Sequence, residues 1–280
     1  MISAVAYGSL GEILQGRYKG IDVLCSFPVN LFTRVYLTED VRNTYEYVKT
    51  NSFIKEISIK WEIEEKYFAL IESNIPKMKG FASSTADILA AYIALLKRYK
   101  RIFNIEELVK TAIEIEPTDS IIFDKATLFD YKEGKYIRTL GDYFKFYCIC
   151  FEGIEGVDTL SFNKSAKVPL QEVDDLVELL DEAIKNKSAE RLAYVSTQSI
   201  LRNQKRLPYL YLNDILDICK KVEGLGIVGA HSGNMISIIF DDKEKRDFYM
   251  ERIDYKMNFY PLETLRKDEI YEVNNDISIK

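Results

Sequence analysis

Of the segments in this sequence, one short stretch of small residues is the strongest candidate for a chemical site. It reads Gly80-Phe-Ala-Ser-Ser-Thr-Ala86 and leads into an Ala- and Leu-rich segment that predicts a buried helix over 87–96. The first turn of a helix has unpaired backbone N–H groups and partial positive charge, so a loop of glycine and serine there suits a phosphate. Ser84 or Thr85 would also offer an oxygen to Mg²⁺. Spacing alone favours the alternative, an ordinary Ser/Thr-capped helix, and the Walker-type P-loop motif is absent.

A pair of carboxylates follows a second predicted helix, over 105–116. In Glu116-Pro-Thr-Asp-Ser120, the proline ends the helix, and Glu116 and Asp119 could then face one cavity across the turn. Phosphoryl transfer needs a carboxylate on Mg²⁺ and often a group that handles the proton of the acceptor hydroxyl. On spacing alone the favoured interpretation is a solvated acidic turn, with Asp119 or Ser120 capping the next element of the chain.

Two glycine-rich segments are further candidates. Segment 11–16 places Glu12 and Gln15 between glycines, and segment 226–233, predicted to join a helix to a strand, contains the sole histidine, His231. Glycines permit positive φ and close backbone approach. Each segment is also compatible with a plain polar turn, and a lone histidine is more often structural than catalytic.

Composition excludes several classes of function. The chain has 280 residues, 47% apolar and 29% charged, which is typical of a globular protein of one large domain or two ordinary ones. A formal charge of −6 argues against nucleic acid as a partner. One histidine and four cysteines without a CxxC pair make a zinc site improbable, and the cysteines are predicted to be reduced core thiols. No apolar run or leader pattern predicts a membrane partner, so we expect a cytoplasmic protein.

Periodicity predicts mixed elements without a regular βαβ alternation, which indicates an α+β fold with a boundary near Gly141. Strands are predicted over 2–7, 31–39, 54–63, 146–151 and 235–240, with a turn-rich segment over 8–16. Besides the two helices above, helical patterns occur over 171–186, 188–203 and 211–223, and a final helix near 242–253 precedes a last short strand.

Four segments together resemble a known family. Segment 80–86 resembles the G-L-G-S-S-A-A phosphate loop of the GHMP kinases, which include galactokinase, homoserine kinase and mevalonate kinase. With its flanks, over 79–88, it is still more similar to the L-threonine kinases of cobalamin assembly. Segments 11–16, 116–120 and 229–233 resemble the same subfamily in the same order. Phe81 and Ala82 depart from the second and third positions of the general loop.

The resemblance implies an ATP-dependent small-molecule kinase of two domains. It implies a β-rich N-terminal domain over 1–141, a ferredoxin-like C-terminal domain over 142–280 and an active site in the cleft between them. Mg²⁺ would be shared by Ser84 and Glu116, with Asp119 serving the acceptor hydroxyl as a base or as a positioner. The ATP-binding residues implied are Lys79, Gly80, Phe81, Ala82, Ser83, Ser84 and Thr85. The acceptor-site residues implied are Glu12, Gln15, His231 and Ser232, of which Glu12 or Gln15 could bind an ammonium group.

The acceptor implied is L-threonine, phosphorylated to O-phospho-L-threonine for the aminopropanol linker of cobalamin. The alternatives are another hydroxyl compound, such as homoserine, an amino-alcohol or a sugar, and a GHMP-fold protein that binds ligands without turnover. Because Ser84, Glu116 and Asp119 are all present, nothing in the sequence favours loss of catalysis. Arg34, Lys77 and Lys79 are candidates for the acceptor carboxylate by charge alone, and the oligomeric state is left open.

Overall fold

The computed structural model of the protein describes residues 1–42, 44–153 and 168–271. Within these residues, helices and strands are mixed around one large antiparallel sheet, which confirms the predicted α+β class. The strands are β1 Ser3–Tyr18, β2 Ile21–Thr38, β3 Phe68–Ser73, β4 Ala126–Phe129, β5 Ile137–Gly141, β6 Tyr147–Glu152, β7 Gly226–Gly229, β8 Met235–Phe240 and β9 Asn258–Glu263. The helices are α1 Val48–Lys60, α2 Ser83–Tyr99, α3 Ile105–Ile115, α4 Asp174–Lys185, α5 Ala189–Asn203, α6 Leu212–Lys221, α7 Lys243–Met250 and α8 Lys267–Tyr271.

The sheet has the order β5-β4-β2-β1-β7-β8-β6-β9, and β3 pairs with the second half of β2. Strands that precede residue 141 are thus grouped on one side and those that follow it on the other. The two groups meet where β1 pairs with β7, at Glu12 opposite Gly229. The division into domains at residue 141 stays a prediction, and residues 154–167 and 272–280 of the second domain lie outside the described residues.

Helix α2 forms the centre of the core, as its apolar composition predicts. It packs against β1 and β2, and its side chains from Ile88 to Leu96 are buried all round. Asn104 caps α3 by accepting from the backbone N–H of Glu107, and α3 ends at Ile115, just before Pro117. The two helices carry the phosphate-loop candidate and the acidic turn at neighbouring ends, which brings those segments together.

The strand predicted over 54–63 is wrong, because this stretch lies mostly in α1. Ile57, Ile59 and Trp61 alternate with polar residues, but Ile59 is exposed. The residues that are buried are Phe53, Ile54, Ile57 and Trp61, at helical spacing, and α1 packs on α2 and α3. The tertiary partners of the helix therefore override the short alternating pattern.

The turn predicted over 8–16 is also wrong, since these residues continue β1. Register shifts between Tyr7 and Leu14 mark irregular pairing with β2, and Gly11 has a φ of +67°. The glycines therefore serve bulges in a long strand, with the backbone of Gly229 where a side chain of residue 11 would lie.

Two smaller corrections concern the C-terminal half. Segment 226–233 was predicted to join a helix to a strand. It instead contains β7, over 226–229, and the turn that leads into β8. The helix near 242–253 is confirmed as α7, but it is not the final one because α8 follows β9. The four cysteines are buried free thiols, as predicted. Across the described ranges, no helix has the length and apolar character needed to cross a membrane.

Candidate active site

A cavity of about 510 Å³ opens at the N-terminal end of α2. Residues 80–85, the turn over 116–119, the start of α1 and part of β1 form its walls. It brings together the site residues expected from the sequence, except Lys79, His231 and the candidate cation Arg34. A larger cavity of about 660 Å³, between β1, α2 and α8, is lined mainly by apolar side chains and contains none of the expected site residues.

The loop before α2 is shaped by backbone conformation instead of by a Ser/Thr cap. Gly80 has a φ of +96°, and Ala82, the residue before the helix, is left-handed with a φ of +52° and makes no side-chain cap. The backbone N–H of Ser9 donates to the Phe81 carbonyl at 2.9 Å, and the buried Phe81 ring anchors the loop in the core. The ordinary capped-helix alternative is therefore not observed, and the first turn of α2 faces the cavity.

The loop before α2 is in contact with the turn over 230–233. A Cβ added at Gly80 would lie 2.1 Å from the Ala230 Cβ, and one added at Gly233 would lie 2.4 Å from the Lys79 carbonyl oxygen. The Asn234 N–H donates to the same carbonyl at 3.2 Å. Glycine is therefore required at both positions for the loops to meet.

Lys79 takes part in this packing through its backbone, while its side chain points elsewhere. The Nζ atom donates to the Gly153 carbonyl at 2.5 Å and lies 3.9 Å from Glu152 Oε1. The side chain is thus directed away from the cavity. Of the other candidate cations, Lys77 lines the cavity and Arg34 does not.

The two residues expected to share Mg²⁺ are in direct contact. The Ser84 hydroxyl donates to Glu116 Oε1, and Lys49 Nζ donates to Glu116 Oε2 at 2.5 Å. A hydroxyl and a carboxylate side by side on a cavity wall are suitable oxygen ligands for Mg²⁺ shared with phosphate groups. No cluster of three or more His, Cys, Asp or Glu that could hold a metal occurs in the described part of the chain, so substrate oxygens would have to complete the coordination.

Lys49 is a site residue that the sequence pattern does not reveal, because the stretch downstream of it alternates as a strand would. It lies in the first turn of α1, and its side chain is nearly half exposed to the cavity. An ammonium group at this position neutralises Glu116 in the ligand-free protein. The same ammonium group and the loop before α2 line one cavity.

Asp119 is held in a buried network at the other end of the turn. Oδ2 accepts from the Ser26 hydroxyl at 3.0 Å, and Oδ1 accepts from the Ile121 N–H at 3.1 Å. Burial, and then the negative charge of Glu12, raise the pKa of Asp119 to about 7. The carboxyl therefore caps the short helical turn, as the alternative interpretation allowed, and also changes protonation near neutral pH.

The acceptor-site candidates fall into two groups. Glu12, Gln15 and Ser232 lie on the cavity wall, whereas His231 is fully buried behind Glu12. The backbone N–H of His231 donates to Glu12 Oε2 at 2.7 Å. The expectation that His231 lines the cavity is therefore corrected: tight packing of the turn after β7 places its ring in the core.

A further carboxylate, Asp87, lies one helical turn into α2 on the cavity wall. Its Oδ1 accepts from the Thr33 hydroxyl at 2.7 Å. Burial raises the pKa of Asp87 to about 6, although the hydrogen bond from Thr33 and the charge of Lys77 both act to lower that pKa. Lys77 Nζ lies 5.6 Å from the centre of the Tyr47 ring, so an aromatic face and a cation flank this end of the cavity.

The comparisons with known proteins agree with the geometry. Residues 41–126 match the GHMP kinases N terminal domain. The chain is 26% identical over 250 residues to an L-threonine kinase of Citrobacter freundii, covering 86% of this chain and 87% of that one. An L-threonine kinase of Salmonella typhimurium is also 26% identical, over 247 residues and 84% and 81% of the two chains.

Solved structures of low identity share the fold. A mevalonate kinase of Methanococcus jannaschii aligns with a TM-score of 0.67 at 17% identity, over 94% of this chain and 98% of that one. A homoserine kinase of Cytophaga hutchinsonii aligns with a TM-score of 0.68 at 14% identity, over 95% and 96%. The resemblance to the GHMP kinase family is thereby confirmed, in sequence and in fold.

Proposed function

From its resemblance to the GHMP kinase family, we propose that this chain is an ATP-dependent small-molecule kinase that phosphorylates the hydroxyl of L-threonine to O-phospho-L-threonine. The observation that carries the proposal is the convergence of three groups in one cavity: the Ser84–Glu116 contact, the carboxyl of Asp119 and the backbone of the loop before α2. These are the parts that phosphoryl transfer requires, namely phosphate positioning, charge neutralisation and a group for the acceptor proton.

The phosphates of ATP are assigned to the loop and to the first turn of α2. Backbone N–H groups at that helix end attract negative charge, and Ser83, Ser84 and Thr85 add hydroxyl groups. Ser84 and Glu116 would hold Mg²⁺, which when bound neutralises charge on the transferring phosphate. Lys49 would then contact a phosphate oxygen, because Mg²⁺ and the ammonium group would compete for the Glu116 carboxylate.

The acceptor is assigned to the end of the cavity lined by Glu12, Gln15 and Asp119. A carboxyl with a pKa of about 7 suits a group that accepts a hydroxyl proton at neutral pH, and it equally can align the hydroxyl through a hydrogen bond. A carboxylate such as Glu12 suits the ammonium group of an amino acid, which favours L-threonine over a sugar. The two curated relatives named as L-threonine kinases support the same acceptor.

The proposal is tested by ADP release from Mg²⁺ and ATP with a panel of acceptors: L-threonine, L-homoserine, an amino-alcohol and galactose. We expect the highest kcat/KM with L-threonine, formation of O-phospho-L-threonine and no turnover after chelation of Mg²⁺. Glu116→Gln is the matched control for contaminating kinases. Preference for another acceptor would change the substrate assignment, and ATP binding without transfer to any hydroxyl would favour a ligand sensor. Use of the product in cobalamin assembly and a cytoplasmic location stay predictions.

A further inference from the structure

A chain of buried polar groups connects α5 to the Glu12 carboxylate. Ser199 Oγ lies 2.7 Å from His231 Nε2, and His231 Nδ1 lies 3.4 Å from Glu12 Oε2, the oxygen that also accepts from the His231 backbone N–H. Ser199 and His231 are fully buried, whereas Glu12 is on the cavity wall. Ser199 and His231 therefore lie behind the cavity wall, and Glu12 is the member of this set that lines the cavity.

The hydrogen bonds of Ser199 hold the His231 ring against β1. Ser199 Oγ accepts from the Gln15 backbone N–H at 3.1 Å, and it lies 3.4 Å from the Gln15 carbonyl oxygen and 2.7 Å from His231 Nε2. His231 Nδ1 lies 3.4 Å from Glu12 Oε2 but makes no hydrogen bond among the residues described, so His231 holds the Glu12 carboxylate through its backbone N–H. Asn203, one turn after Ser199 on α5, donates from Nδ2 to the His231 carbonyl at 3.2 Å and fixes the backbone of the turn.

A second observation points to the ligand that this arrangement would serve. Gln15 is also buried against the cavity, and within the described residues its side-chain oxygen Oε1 has no hydrogen-bond partner. A buried acceptor without a donor is costly unless a ligand supplies one. Glu12 pairs with Ser26 of β2 and Gln15 pairs with Leu24, so the side-chain oxygens of both residues lie at the same end of the cavity. An ammonium group has donors for both oxygens.

We propose that Ser199 and His231 are positioning residues that fix the Glu12 carboxylate for an ammonium group, so that the acceptors selected are hydroxyl compounds carrying an amine. This inference rests on the proposed function and deepens it. Neither residue touches the acceptor. They act by holding Glu12 in one orientation, which removes the reorganisation that binding would otherwise require.

The test compares L-threonine with 3-hydroxybutyrate, which keeps the hydroxyl and the carboxylate but lacks the ammonium group. In Ser199→Ala we expect KM for L-threonine to rise about tenfold, consistent with loss of one orienting hydrogen bond, while KM for ATP and kcat/KM for 3-hydroxybutyrate stay unchanged. Ser196→Ala is the matched control, because Ser196 is equally buried on α5 and its hydroxyl donates to the Ile227 carbonyl, away from Glu12. An equal effect of both substitutions on L-threonine would show general loosening of α5 and overturn the proposal.

Substitution of His231 provides a second, independent measurement. In His231→Asn the amide nitrogen replaces Nδ1 near Glu12, whereas in His231→Gln it replaces Nε2 near Ser199. We expect the glutamine variant to keep more of the preference for L-threonine than the asparagine variant, because it retains a polar group near Ser199. The reverse order would show that the contact of His231 with Ser199 is not needed and would overturn the proposal.

A double-mutant cycle separates positioning from structure. In a Glu12→Gln background, Ser199→Ala should produce no further loss of preference for L-threonine, since both act on one interaction. Additive losses would overturn the proposal. The same comparisons are made by calorimetric binding of both acceptors with a non-hydrolysable ATP analogue. A wild-type protein that binds L-threonine selectively without transferring phosphate contradicts the proposed function alone, and one that does not prefer L-threonine contradicts this inference.

Discussion

Replacement of Asp119 by asparagine should change how the stability of the ligand-free protein depends on pH. The folded-state pKa of Asp119, about 7, lies above its ordinary value of 3.8, so the folded protein binds a proton that the unfolded chain has released. The resulting stabilisation is fully present below pH 3.8 and is lost as pH rises through 7. For one such group the linkage relation gives about 3 kcal/mol more stability at pH 5 than at pH 8.

The measurement is urea denaturation of wild type and Asp119→Asn at several pH values between 5 and 8. The free energy of unfolding of the wild type should fall relative to that of the variant by about 3 kcal/mol across this range. Asparagine preserves the shape, and the Ser26 hydroxyl can reverse its hydrogen bond to accept from the amide. Asp142→Asn removes the same charge from a more exposed side chain. Its free energy of unfolding should change with pH in parallel with that of the wild type. Parallel curves for Asp119→Asn and wild type would refute the reasoning.

Three further substitutions test the nucleotide end of the cavity. Glu116→Gln should be nearly inactive in single-turnover transfer even at high Mg²⁺, because it removes a proposed metal ligand; a near-native rate would show that the metal assignment is wrong. Lys49→Met should weaken ATP binding about tenfold by calorimetry, as expected for loss of one charge-assisted contact, and an unchanged affinity would exclude a phosphate contact. Gly80→Ala should raise KM for ATP, whereas Gly20→Ala, also at positive φ but with nothing nearby, should not; equal effects would exclude the contact with Ala230 as the cause.

Local signals in the sequence predicted those elements whose burial is continuous or strictly periodic. Helix α2 is apolar on all sides and α3 has a capping asparagine and a terminating proline, so both could be placed without knowledge of their partners. Helix α1 could not, because Ile59 belongs to the alternating pattern but points to solvent. Its true periodicity depends on Phe53 and Trp61, whose burial is decided by packing on α2 and α3.

The motifs of the candidate site could be predicted from the sequence, but the residues that contact those motifs could not. Ser84, Glu116 and Asp119 belong to short segments that can be recognised one at a time. The groups that bind them come from distant parts of the chain: Lys49 lies 67 residues before Glu116, and Ser26 lies 93 residues before Asp119. Ser199, 184 residues after Gln15, is an ordinary serine within a helical pattern. No local pattern distinguishes such residues, because their roles arise from the packing of α1 on α3, of β2 on the turn after α3, and of α5 on β1.

The short pairing of β1 with β7, at Glu12 and Gly229, joins the two groups of strands and makes the protein a candidate for fragment complementation. A chain divided after Gly141 would leave the phosphate loop and Glu12 on one piece, and Ala230 and His231 on the other. Each piece would then lack contacts that shape the cavity. Recovery of phosphoryl transfer on mixing the two pieces would measure their reassembly directly, because the activity depends on contacts between them.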